Sequence, residues 1–284
     1  MNFLLLSLII VCSSIQNVAK KSYNLRVSGG VYSFAAGSAL AAVLVFLITS
    51  AGKLTFTADT LGWAAAFAAA YSVSVISSMN AIRLGPLSLT SLIISCSLIL
   101  PTLFGLLFLD EPVSKWLVAG ILLLLVTLVL VNIEKKTTER KITLKWGICV
   151  LFAFIGNGAC STVQKLQQIA SGGRYKNEMM ILALLIVITV MVLLAGCTER
   201  KQALDHLKSG ARYFILCGAA NGVVNYLVLV LANHMPASVM FPVISAGGVV
   251  LAALIAIFIY KEKLQPQQWL GMLSGIFAIV LLNL

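Results

Sequence analysis

Asn221 and Asn225 stand four residues apart in an otherwise apolar run, 212–232. Residues at that spacing share one face of a helix. A carboxamide carries two N–H donors and a carbonyl acceptor, and all of them must be satisfied. Polar side chains at depth in a bilayer usually face the protein interior or a hydrated path. The chemistry such a pair offers is reversible hydrogen bonding to a polar solute, with no bond made or broken. Tyr226 lies beside it. The same spacing recurs at Asn157 and Ser161 in run 146–166, at Ser91 and Ser95 in 87–108, and at Ser74 and Ser78, with Tyr71 near, in 61–80. Gln16 and Asn17 come late in run 3–19. Together these residues are the candidate lining of one water-filled cavity. For the serines a competing reading is the commoner one: Ser and Thr in membrane helices bond their own backbone or let helices pack closely.

Lys165, near the end of the sixth run, has two readings. It can face the cavity and draw in an anionic solute, or snorkel to the membrane surface, the commoner fate of such a lysine. Glu111 and Glu262 have charged neighbours, Asp110 for the one and Lys261 and Lys263 for the other. They therefore read as stabilisers of short wet turns rather than proton carriers. None of the nine acidic residues falls at the centre of a run. Proton-coupled efflux of lipophilic cations, which needs a buried carboxylate, is disfavoured. Pro101 and Pro242 sit inside runs, where proline frees a carbonyl and bends a helix. Their bends are either gates or fixed kinks.

An enzyme is not expected. The two histidines, His206 and His234, form no H-E-x-x-H and no evident Ser–His pair. The six cysteines are scattered without a C-x-x-C, so they read as free thiols acting as small hydrophobes. No cofactor or metal is expected.

The elements that position these residues follow from composition. The chain has 284 residues, of which 60% are hydrophobic and 10% charged, and a mean hydropathy of +1.03. That charge cannot cover a soluble domain of this size. Ten runs are close to the ~20 apolar residues that a spanning helix requires: 3–19, 31–51, 61–80, 87–108, 116–133, 146–166, 178–197, 212–232, 237–259 and 267–284. The first lacks the basic flank of a signal peptide and reads as a retained helix. Trp63, Trp116, Trp146 and Trp269 all lie near the start of a run, as interfacial anchors do. The net charge of +11 resides between the runs, which argues for membrane topology and against nucleic-acid binding.

The chain repeats itself. LFLDEPVSKWLVAG (107–120) returns as IFIYKEKLQPQQWLG (257–271), with Glu111 matching Glu262 and Gly120 matching Gly271. Leu84-Gly85-Pro86 has a counterpart in Met235-Pro236, and Lys20 in Lys165. This predicts an all-α membrane protein of two five-helix repeats, 1–133 and 146–284, joined by a polar loop, 134–145. Five helices is an odd number, so the second repeat enters from the opposite face, as in carriers that work by alternating access. Most Lys and Arg residues follow odd-numbered runs; the other face has only Lys53, Lys115, Lys165, Arg174 and Lys176. That bias predicts a cytoplasmic 134–145 loop and both termini outside. Gly271 and Gly275 form a small-residue face for close helix packing, inside the bundle or in a dimer.

Several segments together resemble the EamA-like branch of the drug/metabolite transporter superfamily: LGPLSLTSLIISCSLILPTLFGLLFLDEP (84–112), Trp116-x3-Gly120 and YKEKLQPQQWLG (260–271). So do the polar residues four before a lysine, Gln16…Lys20 and Ser161…Lys165. The resemblance covers essentially the whole chain. It implies export or exchange of small metabolites through a central cavity, by a multi-pass protein of a cell membrane, with the bacterial plasma membrane as the expected one. Expected partners are a small-molecule substrate and membrane lipid, in a monomer or homodimer. A non-transporting scaffold or sensor on a carrier-like fold is the alternative, and a solid bundle without a cavity would favour it.

Overall fold

The computed structural model describes residues 2–27, 29–84, 90, 93–94, 96–132, 143–199, 202–258 and 266–282. Ser91, Ser95, Gly85, Pro86, the charged cluster around Glu262 and most of the 134–145 loop lie outside the described residues. Ten α-helices are present among the described residues: α1 (Asn2–Arg26), α2 (Val31–Ser50), α3 (Ala58–Leu84), α4 (Ile99–Phe108), α5 (Lys115–Asn132), α6 (Leu144–Ala170), α7 (Lys176–Thr198), α8 (Ala203–Ala232), α9 (Ala237–Phe258) and α10 (Pro266–Leu282). A 3-10 turn, Cys96–Leu98, leads into α4. Among the described residues six helices are long and apolar enough to cross a membrane. The fourth, fifth, ninth and tenth runs hold shorter apolar helical stretches, Cys96–Phe108, Lys115–Leu130, Ala237–Leu251 and Pro266–Leu282.

The chain divides into two compact units, Met1–Ser72 with Leu166–Asn233, and Val73–Lys165 with His234–Leu284. Each unit therefore draws on both halves of the sequence. Two of the three cuts fall inside α3 and α6, and the third in the turn between α8 and α9.

In the first unit α2 packs against α7 and α8, and α1 against α8. The α2/α7 pair is antiparallel, because opposite ends meet. Thr49, near the end of α2, bonds Asn177 at the start of α7 at 3.3 Å. At the other end the Glu199 carboxylate, just past α7, accepts the backbone N–H groups of Tyr32 (3.0 Å) and Ser33 (3.1 Å) and the Ser33 hydroxyl (2.6 Å). A carboxylate suits the positive end of a helix, whose first N–H groups lack partners. Glu178, in the first turn of α7, accepts the Thr55 N–H (3.1 Å) beyond the end of α2. One acid thus ties each end of the pair. Where α8 crosses α2, Gly218 lies so close to the Ser38 carbonyl that a Cβ would overlap it. The α1–α2 turn is fixed by Tyr23, whose hydroxyl donates to the Gly29 (3.0 Å) and Gly30 (2.9 Å) carbonyls. Tyr23 lies beyond the candidate span of α1. Burial, with the Glu199 charge nearby, pushes its phenol up to about 12, which keeps the hydroxyl a donor. Gly30 has φ 69°, and a Cβ there would meet His206 and the Tyr23 hydroxyl.

In the second unit α5 packs on α10, and α9 on α4, α5 and α10. The α5/α10 seam is also antiparallel: Gly120, early in α5, faces Leu282, late in α10, while Thr127 bonds Ser274 at 2.9 Å. Gly275 meets Thr127 and Val250, so Gly271 and Gly275 serve packing within the chain. Trp146 is 6% exposed, packs with Ala81 and Val150, and donates its indole N–H to Thr90 at 3.0 Å. It is a buried hydrogen-bonded ring instead of the expected interfacial anchor. Trp116 and Trp269 are exposed.

Helix starts keep a register across the two halves. Val31 and Lys176 begin α2 and α7, Ala58 and Ala203 begin α3 and α8, and both pairs are 145 apart. Lys115 and Pro266 begin α5 and α10, 151 apart, the same offset as Glu111 and Glu262.

Candidate functional site

In the first unit, α8 and α1 bring three predicted residues together. The Asn225 amide nitrogen donates to the Asn221 side-chain oxygen (3.0 Å) and backbone carbonyl (2.9 Å). The Asn221 amide nitrogen in turn donates to the Gln16 side-chain oxygen at 3.0 Å. The i,i+4 spacing puts both asparagines on one face, and the antiparallel α1 delivers Gln16 to meet it. Gln16 is 7% exposed, while Asn221 and Asn225 are half-buried. The result is a chain of three amides with one donor direction, Asn225 to Asn221 to Gln16. Asn17, one residue on from Gln16, is exposed and on a different face.

Tyr226 is half-buried, with its ring edge-on to Phe46 at 6.3 Å between centroids. Tyr71 stacks on Phe67 at 5.9 Å. Two residues that sequence reasoning passed over as buried polar groups are Gln167 and Gln168, each 1% exposed. The Gln168 amide donates to Gln167, and Gln167 donates to Ser171 (3.2 Å) and the Arg174 carbonyl (3.1 Å), closing the α6–α7 turn. The run QKLQQ (164–168) at the end of an apolar helix is the signal the sequence offers.

The second unit holds the other predicted residues. Asn157 donates to the Ser97 hydroxyl at 2.6 Å, and Ser97 is fully buried in the 3-10 turn. Ser74 donates to the Ala153 carbonyl at 3.5 Å, and Ser78 bonds Val75 in its own helix at 2.9 Å. Ser161 is half-buried. Lys165 does not snorkel. It is 7% exposed, donates to the Met235 carbonyl at 2.6 Å and lies 3.8 Å from Glu111. Glu111 is not confined to a wet turn either. Its side chain is buried, and its oxygens accept the Ala237 (2.7 Å) and Ser238 (2.8 Å) N–H groups at the start of α9. Helix-end N–H groups and a lysine explain why a carboxylate turns inward there. Pro242 lies within α9 and beside a small apolar cavity lined also by Cys96, Thr102 and Leu128.

Among the described residues no cluster of His, Cys, Asp and Glu can hold a metal ion. The groups brought together at Asn225, Asn221 and Gln16 are hydrogen-bond donors and acceptors, of the kind that can exchange bonds with a polar solute.

A profile of the EamA-like transporter family matches residues 140–284. The chain belongs to this family. Its members are membrane transporters of the drug/metabolite transporter superfamily, and this EamA-like protein is a multi-pass membrane protein. A crystal structure described only as that of a protein resembles it with a TM-score of 0.80. The likeness covers 99% of this chain and 95% of the other at 13% identity, and it speaks for the fold alone. No curated protein matches the sequence.

Proposed function

We propose that this EamA-like protein is a secondary carrier that exports or exchanges small polar metabolites by alternating access. The amide chain Asn225–Asn221–Gln16 carries the reading. Asn221 lies near the middle of the long apolar helix α8. Amides at that depth are costly unless bonded. A set that bonds itself in the absence of solute can exchange those bonds for a solute's at little net cost, which is what a carrier requires. The solute class that fits is neutral or zwitterionic.

The antiparallel pairing of corresponding helices, α2 with α7 and α5 with α10, supports two inverted five-helix repeats. The matching helix starts support the same arrangement. Residues 1–133 and 146–284 are those repeats, and the full count is ten spans in a cell membrane.

Uptake by proteoliposomes across a metabolite panel tests the function. Saturable transport is expected, reduced about tenfold or more in Asn221→Ala and in Asn225→Ala, with folding preserved on size exclusion. Transport that is saturable and unchanged in both variants removes the amide chain from the site. No transport of any solute in the panel favours the scaffold reading.

A further inference from the structure

Hydrogen-bond geometry fixes which way each amide of the Asn225–Asn221–Gln16 chain faces. One terminal atom of the Asn225 amide lies 2.9 Å from the Asn221 backbone carbonyl, which can only accept. The atom that meets it is therefore the Asn225 nitrogen. The same nitrogen stands 3.0 Å from the Asn221 side chain, so Asn221 turns its oxygen there. The Asn221 nitrogen then points at Gln16, 3.0 Å away, and must meet an oxygen. One backbone carbonyl thus sets the polarity of all three side chains.

That polarity leaves donors over. An amide nitrogen carries two N–H bonds. Asn225 directs its nitrogen at two Asn221 oxygens and has a further interaction besides. Asn221 uses one N–H on Gln16. Among the described residues, the second N–H of Asn221 and both of Gln16 have no partner. Buried N–H groups without a partner are rarer than carbonyls with a spare lone pair. Gln16 is the most enclosed of the three, at 7% exposed, and it lies in the apolar stretch Asn2–Lys20, which is long enough to cross a membrane. An unpaired nitrogen in such surroundings is an open site for an acceptor oxygen.

We propose that Gln16 is the docking residue of the carrier: its Nε2 takes an acceptor oxygen, the carbonyl or carboxylate of a neutral or zwitterionic solute, while Asn225 and Asn221 hold it in that orientation. The proposal rests on the reading that the amide chain meets substrate. It gives the chain a direction of selectivity, because a solute that offers only N–H donors leaves those nitrogens unpaired. Residue types and spacing mark out the amides. Their polarity comes from the Asn221 carbonyl, which no sequence pattern announces.

The test reads the amides directly and needs no transported solute. The full chain is placed in lipid nanodiscs with nitrogen-15 in its glutamine and asparagine side chains. NMR resolves the NH2 pairs, and Gln16→Met and Asn225→Ser identify the signals of those two residues. The Gln16 protons are expected to exchange with water about tenfold faster than those of Asn225, the factor that one hydrogen bond supplies. Trimethylamine N-oxide, an acceptor without donors, should shift the Gln16 signals saturably. Tetramethylammonium has the same shape without the oxygen and should not. Asn221→Asp turns Gln16 over, because an ionised carboxylate only accepts and Gln16 must then donate to it. In that variant exchange should slow to the Asn225 rate and the N-oxide shift should vanish. The wild-type measurements decide the matter even where the aspartate variant does not fold. Gln16 protons that exchange as slowly as those of Asn225 overturn the docking role, as do shifts that both solutes produce alike or neither produces. Each of these results leaves the carrier reading to the proteoliposome assay. A Gln16 that takes the N-oxide in a protein that transports no panel solute keeps the docking site and sinks the carrier reading.

Discussion

Glu111 and Lys165 show what a single residue contributes and how far a sequence can announce it. Their types and their place at run ends were legible. Their partners were not, because Glu111 meets Ala237 and Ser238, 126 and 127 residues further along the chain. A charged neighbourhood reads as a wet turn, and only the packed chain reveals helix N–H groups at hydrogen-bond distance from that carboxylate. Removing one partner of a buried pair leaves a desolvated charge, which costs about 3–5 kcal/mol. Removing both replaces the pair by neutral groups and costs less. Lys165→Met and Glu111→Gln are therefore each expected to lower the thermal transition of the detergent-solubilised protein. The double variant should be less destabilised than the sum, with a coupling of about 1–3 kcal/mol. Strict additivity would show that the two groups do not sense each other. For the amide chain the sequence went further: the spacing of Asn221 and Asn225 fixed their shared face. That Gln16 would complete the set depended on the antiparallel placement of α1.

Between elements, close approach is decided by glycines that look alike in sequence. Gly218 in α8 faces the Ser38 carbonyl of α2 with no room for a Cβ, and backbone cannot yield as a side-chain end can. Gly248, inside α9, has nothing within 4 Å of where a Cβ would stand. Alanine is a better helix former than glycine by about 1 kcal/mol. Gly248→Ala should therefore leave the thermal transition unchanged or raise it by a few degrees. Gly218→Ala should lower it by several degrees as α8 is pushed off α2. Equal responses would mean that the α2–α8 contact is not close-packed in the folded protein. Helix existence was readable from apolar runs: each run holds one of the ten helices among the described residues, and six of these are long and apolar enough to cross a membrane. Which helices pair was not, since α2 and α7 are joined through Glu199 and Ser33, 166 residues apart. The 3-10 turn at Cys96–Leu98 had no sequence signal beyond the nearby Pro101.

At the scale of the whole molecule, the sequence divides the chain at its polar loop, while packing groups it into units that each take helices from both halves. The first unit is built on seams of α1 and α2 with α7 and α8, and the second on α4 and α5 with α9 and α10. Orientation follows from the charge bias, and a reporter fused behind Leu284 is expected to be active outside the cytoplasm; a cytoplasmic signal reverses the assignment. The interleaving has a sharper consequence. A polypeptide of residues 1–133 carries α2 without α7 and α5 without α10. The seams it exposes include Gly120, Thr127 and the uncapped start of α2, whose N–H groups need Glu199. The same holds in reverse for 146–284, where α9 lacks the Glu111 carboxylate at its first turn. Each half expressed alone is expected to be degraded or aggregated in detergent. Expressed together as separate chains, they should copurify one-to-one and recover most of the thermal stability of the intact protein. Restoring the covalent loop adds an effective concentration but no new contact. A half that purifies alone as a monomer with a cooperative transition would show that the seams between halves are dispensable, and that the two units are not how this protein is held together.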